Sequence, residues 1–522
     1  MNLCKDSDIK DAVDSFNGGA PPGAPALRPI AQVLDTALGS RPDAMAVEAT
    51  SGAWTYVELD DQAHRAAGAL WSLGVRPGDR VAACLPNDLD IVAAFHGAQR
   101  IGAVWAGIGE ALAANEQQYL HDLCEPAVLL AGPRCRVDSP RTVDPEHWAA
   151  LLDRAPAPRV EQDIDAPAGI AFTSGTSGQP KAVVHSQRNL LLPGAVLTAT
   201  RGWGPELRKG DSFPLTILNL MVLSTLLTAQ AGGCAVVMDR RDADGVAEWI
   251  AERRVTVWNG APAQLYDLAR KPGLDLGSLR EVWSGGSDTP DSVRAAFAAA
   301  HGPVPRVTYG LTEAPTVVSI DPPGDGWVPG ASGRVLPHYD VAAYDDEGHR
   351  LPPGSLGELR LQAAATGPWA GMWTPMLGYW ERGGVRPPEP GPIPTGDVGT
   401  VDAEGTLSVL DRKKMVIIRG GANVYPLEVE RVIATHPDVA KVAVCPVPDE
   451  RLGQKVAAVI ESAVPTIDLD AVARLCRREL AGYKVPEIWT RVDALPVNAM
   501  GKIERTRLTE LVTAPSTTQE QP

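Results

Sequence analysis

The sequence predicts a multidomain α/β protein, and three observations carry the prediction. The chain has 522 residues, too many for one hydrophobic core. Strand-like and helix-like patterns alternate through its first three-fifths. After about Gly330 the texture changes twice, first to short strands with turn signals and then to a fresh mixed pattern.

The alternation begins at Tyr56, where Leu59, Ala63, Ala66, Leu70 and Leu73 fall on one helical face that stops at Gly74. A short apolar strand over 80–85 follows. Further strands are expected over 169–173, 234–238, 255–258, 281–283 and 306–309, with helices over 242–253 and 290–301. Such repetition builds mostly parallel sheets covered by helices on both faces. Glycine-bearing turns follow three of these strands, at 174–178, at Gly285 and Gly286, and at Gly310. Ligands of open parallel sheets collect at the carboxyl ends of strands, so these turns are candidates to line one cleft.

Strands suggested by 344–362 and 401–414 form a smaller β-rich unit. From Lys413 the pattern reads strand 415–418, loop 419–424, helix 426–434, strands 439–447 and 454–460, helix 468–481 and a loop around Gly501. This is an α+β unit of about 110 residues, a size that folds alone, with its boundary placed at Asp411. The Gly/Pro-rich segment 17–30 and the polar tail 513–522 are expected to be irregular and to carry no chemistry.

Composition narrows the function. With 44% hydrophobic and 21% charged residues, the chain is an ordinary globular protein. Its 48 Lys and Arg against 64 Asp and Glu give a formal charge of -16, which repels nucleic acid and anionic membrane surfaces at long range. Any phosphate handled here must be gripped locally. The seven cysteines are odd in number, scattered and never in a CxxC, which suggests neither a disulfide framework nor a zinc site and points to a reducing cytoplasm. Residues 1–10 (MNLCKDSDIK) lack the basic start and continuous apolar stretch expected of a secretory signal. The most apolar stretch, 217–238, is interrupted by Asn219, Ser224, Gln230, Gly232 and Gly233, and reads as a buried helix followed by a strand rather than a membrane span.

The strongest chemical signal is the run Thr173, Ser174, Gly175, Thr176, Ser177, Gly178, Gln179, Pro180, Lys181, placed directly after a strand. Glycines let the backbone approach an anion, amides and hydroxyls donate to its oxygens, and Lys181 adds a point charge. Its order differs from the P-loop of nucleotide triphosphatases, because Gln179 and Pro180 separate the last glycine from the lysine.

This run resembles the phosphate loop of the adenylate-forming superfamily, which includes acyl-CoA ligases, adenylation domains of peptide synthetases and luciferases. Four further segments match in the family's order: Tyr309 to Glu313 (YGLTE), Thr395 to Asp397 (TGD), Asp411 to Lys414 with Arg419 to Pro426 (DRKK, RGGANVYP), and Pro496 to Lys502 (PVNAMGK). The likeness runs from about residue 30 to 510. It implies a large N-terminal domain of two α/β subdomains plus a small β-barrel over 1–410, and a smaller mobile α+β lid over 411–522.

The resemblance assigns roles. Tyr309 and Gly310, with the turn at Gly285, Gly286 and Ser287, would hold adenine, and Asp397 and Arg412 the ribose. Thr312 and Glu313 offer hard oxygen ligands for Mg²⁺. Lys181 and Lys502 would be catalytic beside Thr312 and Glu313, Lys502 by stabilising charge as a carboxylate attacks the α-phosphorus of ATP. Asp411 would be the hinge. Gly420 and Gly421 would line a tunnel for the pantetheine arm of coenzyme A, because a main chain without side chains lets the arm slide past.

One departure concerns the acyl pocket. Where many relatives carry a histidine or aromatic residue, this chain has Ile217, and Leu218, Asn219, Leu220 and Met221 complete an apolar wall with one polar handle. Trp258 and Gly260 are expected to form another wall. No acidic residue stands in this stretch to pair with an ammonium group, and Asp211 is expected to face solvent. The substrate expected is therefore a bulky hydrophobic carboxylic acid, joined to coenzyme A through an acyl-adenylate. Alternatives are delivery to a carrier protein, a split enzyme performing one half-reaction, an inactive nucleotide-binding regulator, and a luciferase-like oxygenase with no separate residue in its favour. No nucleic-acid partner and no stable membrane insertion are expected.

Overall fold

The computed structural model describes residues 27–153, 157, 160–173, 180–286, 289–324, 327–497 and 503–513. Two large sheets form the first part of the chain. In the nine-stranded sheet the centre is parallel, running Arg306–Leu311, Glu281–Gly285, Val257–Gly260, Arg208–Asp211, Cys234–Val237 and Met45–Ala49, with antiparallel strands at both edges. The eight-stranded sheet has a parallel half around Arg80–Cys84 and an antiparallel half that includes Pro167–Thr173, Lys181–Ser186 and Gly378–Glu381. Burial on both faces accounts for apolar parallel strands such as Val104–Gly107 and Cys234–Val237.

The helix expected from Tyr56 runs Tyr56–Ser72. Thr55 caps it in a reciprocal pair with Glu58, and Leu59, Ala63, Ala66 and Leu70 are buried. The 217–238 stretch is helical and then extended, as its interruptions imply. It forms Leu218–Met221, a π-helical turn Val222–Leu226, Leu227–Ala231, and then the strand Cys234–Val237. No helix among the described residues is long and apolar enough to cross a membrane.

The small barrel expected after Gly330 takes the form of a four-stranded antiparallel sheet ordered Tyr339–Tyr344, Gly357–Ala363, Ile393–Val401 and Leu407–Arg412. Beyond it lies the α+β unit, five strands with the helices Pro426–Ile433, Leu469–Glu479 and Arg505–Thr513 around a core that includes Val429, Val444, Ile460 and Val472. Asp411 and Arg412 end the last strand of the four-stranded sheet, so that strand reaches two residues past the boundary read at 410.

Candidate active site

Three sheets deliver the motif residues to neighbouring positions. Thr173 and Lys181 are cross-strand partners in the eight-stranded sheet, where they end the two antiparallel strands that flank the phosphate-loop motif. Ser174, Gly175, Thr176, Ser177 and Gly178 lie outside the described residues, as do Ser287 and Lys502.

The second contribution is a hairpin of the nine-stranded sheet. Gly310 does not form a turn after its strand, as expected, but lies inside Arg306–Leu311. A methyl group there would collide with the Thr316 carbonyl on the facing strand, so only glycine lets the two backbones approach so closely. The turn itself is Thr312 and Glu313, between the paired residues Leu311 and Ala314. Both side chains are half-buried.

Two residues that the sequence reading missed hold this turn. The buried His185 ring donates from Nε2 to the Thr312 carbonyl at 2.8 Å, and burial lowers its pKa to about 4, so the ring is neutral at physiological pH. Tyr379 Oη donates to Glu313 Oε1 at 3.4 Å, while Lys181 Nζ lies 5.0 Å from the centroid of the Tyr379 ring. Burial and the Glu313 carboxylate push the Tyr379 phenol up to about 12. Tyr379 thus joins the lysine after the phosphate loop to the acid of the YGLTE motif. Neither residue belongs to a matching segment; the apolar strand context of His185 was its only sequence signal.

The third contribution comes from the four-stranded sheet. The TGD segment is part of the strand Ile393–Val401. Thr395 Oγ1 donates to the Leu359 carbonyl and accepts from the Asp397 amide, which fixes the buried Asp397 carboxylate. Tyr309 Oη donates to Asp397 Oδ2 at 2.5 Å, and Arg412 Nε lies 2.7 Å from Asp397 Oδ1. Burial, reinforced by the carboxylate, holds the Tyr309 phenol well above its usual pKa. Gly285 ends the adjacent strand, packed so closely on Thr308 that a side chain would not fit.

Asp411 is buried beside this cluster. Its Oδ1 accepts from the Arg412 amide and its Oδ2 from the Leu427 amide in the first turn of Pro426–Ile433. One carboxylate therefore ties the last strand of the first part to the first helix of the second. Burial raises its pKa. Gly420 and Gly421 form the two-residue turn between Ile417–Arg419 and Ala422–Val424, both in the left-handed region at φ 59° and 85°, as a tight hairpin of this type requires.

The expected acyl walls need correction. Trp258 is fully buried in the core packed with Val246, Ile250, Leu265 and Phe297, on the side of its strand opposite Asn259, because side chains alternate along a strand. Gly260 leaves room for the Trp258 indole, with which a methyl group would collide, and not for a ligand. Leu218 and Met221 are also core residues, whereas Ile217, Asn219 and Leu220 are half-buried. The Asn219 side-chain oxygen, Oδ1, is buried with no hydrogen-bond partner among the described residues.

Asp211 does not face solvent either. It is fully buried, 2.7 Å from Lys209 Nζ and accepting from Ser224 Oγ at 2.6 Å, and Lys209 in turn lies over the Trp283 ring. Its charge is already matched by Lys209.

Matching shows the class. Residues 34–380 match the AMP-binding enzyme family and 428–502 the AMP-binding enzyme C-terminal domain, so the chain belongs to the AMP-binding enzymes of the adenylate-forming superfamily. Within it, the chain is 32% identical over 489 residues to the long-chain-fatty-acid–CoA ligase FadD13 of Mycobacterium tuberculosis, covering 88% of this chain and 93% of that one. It is 30% identical over 512 residues to the indoleacetate–CoA ligase of Aromatoleum aromaticum, covering 92% and 98%. The crystal structure of ATP-bound MatB from Rhodopseudomonas palustris superposes with a TM-score of 0.81 at 27% identity, covering 92% of this chain and 98% of that chain. The chain is an AMP-forming acid–CoA ligase.

Proposed function

We propose that this enzyme activates a bulky hydrophobic carboxylic acid with ATP and passes the acyl group to coenzyme A from the same site. The observation that supports this best is the meeting of three sheets: Lys181, Tyr379 and Glu313 form one cluster, and Tyr309, Asp397 and Arg412 the other.

In the first step Asp397 accepts the ribose hydroxyls and the Tyr309 ring lies against adenine. Lys181 and the hydroxyls of the phosphate loop bind the phosphates. The acid's carboxylate attacks the α-phosphorus and pyrophosphate leaves, with Lys502 offsetting the charge that accumulates on both reactants. Preorganised charge of this kind is worth on the order of 100- to 1000-fold in rate. Glu313 and Thr312 would hold a Mg²⁺ ion: both offer hard oxygen atoms, and a small number of protein ligands suits an ion that keeps much of its water shell. Such an ion would neutralise phosphate charge.

In the second step the lid, turning about Asp411, brings the Gly420 and Gly421 hairpin to line the path of the thiol, which attacks the acyl carbonyl and expels AMP. Ile217 and Leu220 supply apolar contact for the acyl group. An amino acid fits poorly, because Asp211 is already engaged by Lys209 and Ser224. Incubation with ATP, CoA and a panel of aliphatic, aromatic and polycyclic acids, with thioesters detected by mass spectrometry, tests the reading. Products confined to small polar acids would reject the hydrophobic assignment. Acyl transfer to an added carrier protein but not to CoA would reject the acceptor.

A further inference from the structure

The edge of the nine-stranded sheet away from the motif residues holds a cavity of about 520 Å³, within the range of small-ligand sites. Arg208 opens its strand, Thr256 precedes Val257–Gly260, and Arg280 precedes Glu281–Gly285, so the cavity sits at the amino ends of strands whose carboxyl ends face the active site. Four residues at about 3.3 Å each separate the two edges by about 13 Å.

Its lining is basic in a chain that is otherwise acidic. Arg208, Arg253, Arg254 and Arg280 face two glutamates, Glu48 and Glu252, a net charge of +2. Glu48 is engaged with Arg208 Nη2 at 2.8 Å, and Arg208 Nε donates to the Arg253 carbonyl. The hydroxyls are taken: Ser278 donates to the Ile250 and Val255 carbonyls, and Thr256 to the Arg208 carbonyl. Free donor capacity therefore resides in guanidinium groups. Arg254 and Arg280 are exposed with no ion pair among the described residues, and Arg253 Nε is buried with no hydrogen-bond partner. Arg254 also holds φ at 49° as the cap of Ala243–Arg253, a left-handed position where glycine would be more stable.

We propose that this cavity is a second anion site, distinct from the nucleotide site, that takes the dianionic phosphate of a small molecule. Two unengaged guanidinium forks and a net charge of +2 match a phosphate dianion in charge and in the planar pairing of its oxygens.

Calorimetric titration of inorganic phosphate and, separately, glycerol phosphate into the full-length protein with AMP in excess tests this. The same titrations follow on Arg254→Asn/Arg280→Ala, asparagine being tolerant of the left-handed backbone, and on Arg280→Ala alone. One phosphate equivalent is expected on the unaltered protein, weakened about ten-fold or more in the double variant and less in the single one, with ATP–pyrophosphate exchange unchanged. A tighter fit for glycerol phosphate would identify an ester as the ligand, and a tighter fit for inorganic phosphate the free ion. Equal binding by the variants, no binding at all, or equal binding of malonate would overturn the assignment.

Discussion

Replacing His185 by phenylalanine isolates the link between the phosphate-loop strand and the Thr312–Glu313 turn. The ring is fully buried and makes one hydrogen bond, from Nε2 to the Thr312 carbonyl at 2.8 Å. Phenylalanine preserves the ring but leaves that carbonyl without its donor, a loss of about 1–3 kcal/mol for a buried acceptor. The cost should appear in urea unfolding as a lower midpoint. Because burial lowers the pKa of His185 to about 4, the folded ring is neutral from pH 6 to 9; the loss should be constant above about pH 7.5 and shrink towards pH 6, where the unfolded histidine of the unaltered protein takes up a proton. The same turn carries Glu313, so ATP–pyrophosphate exchange in the variant should require more Mg²⁺ for half-maximal rate, while ATP affinity changes less. A merely structural histidine would lower stability without moving the Mg²⁺ requirement. Unchanged stability together with an unchanged Mg²⁺ titration would refute the reasoning.

Three further outcomes follow from the same geometry. Arg505→Met should destabilise the C-terminal unit by about 3–5 kcal/mol in chemical denaturation, because buried Glu430 would lose the guanidinium that meets both its oxygens at 2.7 and 2.9 Å. Asp397→Asn should raise the KM for ATP roughly ten- to a hundred-fold by weakening charged hydrogen bonds to ribose, and steady-state kinetics would read it. Stability should fall on acidification from about pH 6.5. Burial lowers the pKa values of His96, His185 and His338 to about 3, 4 and 3, so below 6.5 the unfolded chain binds protons that the folded chain refuses until those lower values. A flat stability profile between pH 6.5 and 4 would contradict it.

Periodicity made the regular elements legible. The Tyr56–Ser72 helix and the parallel strands were readable because their apolar positions repeat with the helix or strand period. The motif order singled out Lys181, Glu313, Tyr309, Asp397 and Arg412, which lie in two neighbouring clusters. What stayed hidden was which side of a strand faces the ligand. Trp258 and Asn259 are neighbours in sequence, yet alternation sends the indole into the opposite core. Asp211 was misread for a related reason: its partner Lys209 lies two residues away on the same face, and nothing in the local composition announces a charge pair at zero exposure. Tyr379 and His185 were invisible because their importance is entirely tertiary, arising where separate sheets meet.

In the proposed reaction a single pocket forms the mixed anhydride and then hands its acyl group to sulfur. Single-turnover measurement with labelled acid and excess enzyme tests this most directly. Without CoA, one acyl-adenylate per molecule of labelled acid should accumulate and remain bound. Added CoA should convert it to thioester with an equal yield of AMP and no free acid. Adenylate that persists or hydrolyses on CoA addition, or reacts only when a second protein is supplied, would contradict the account.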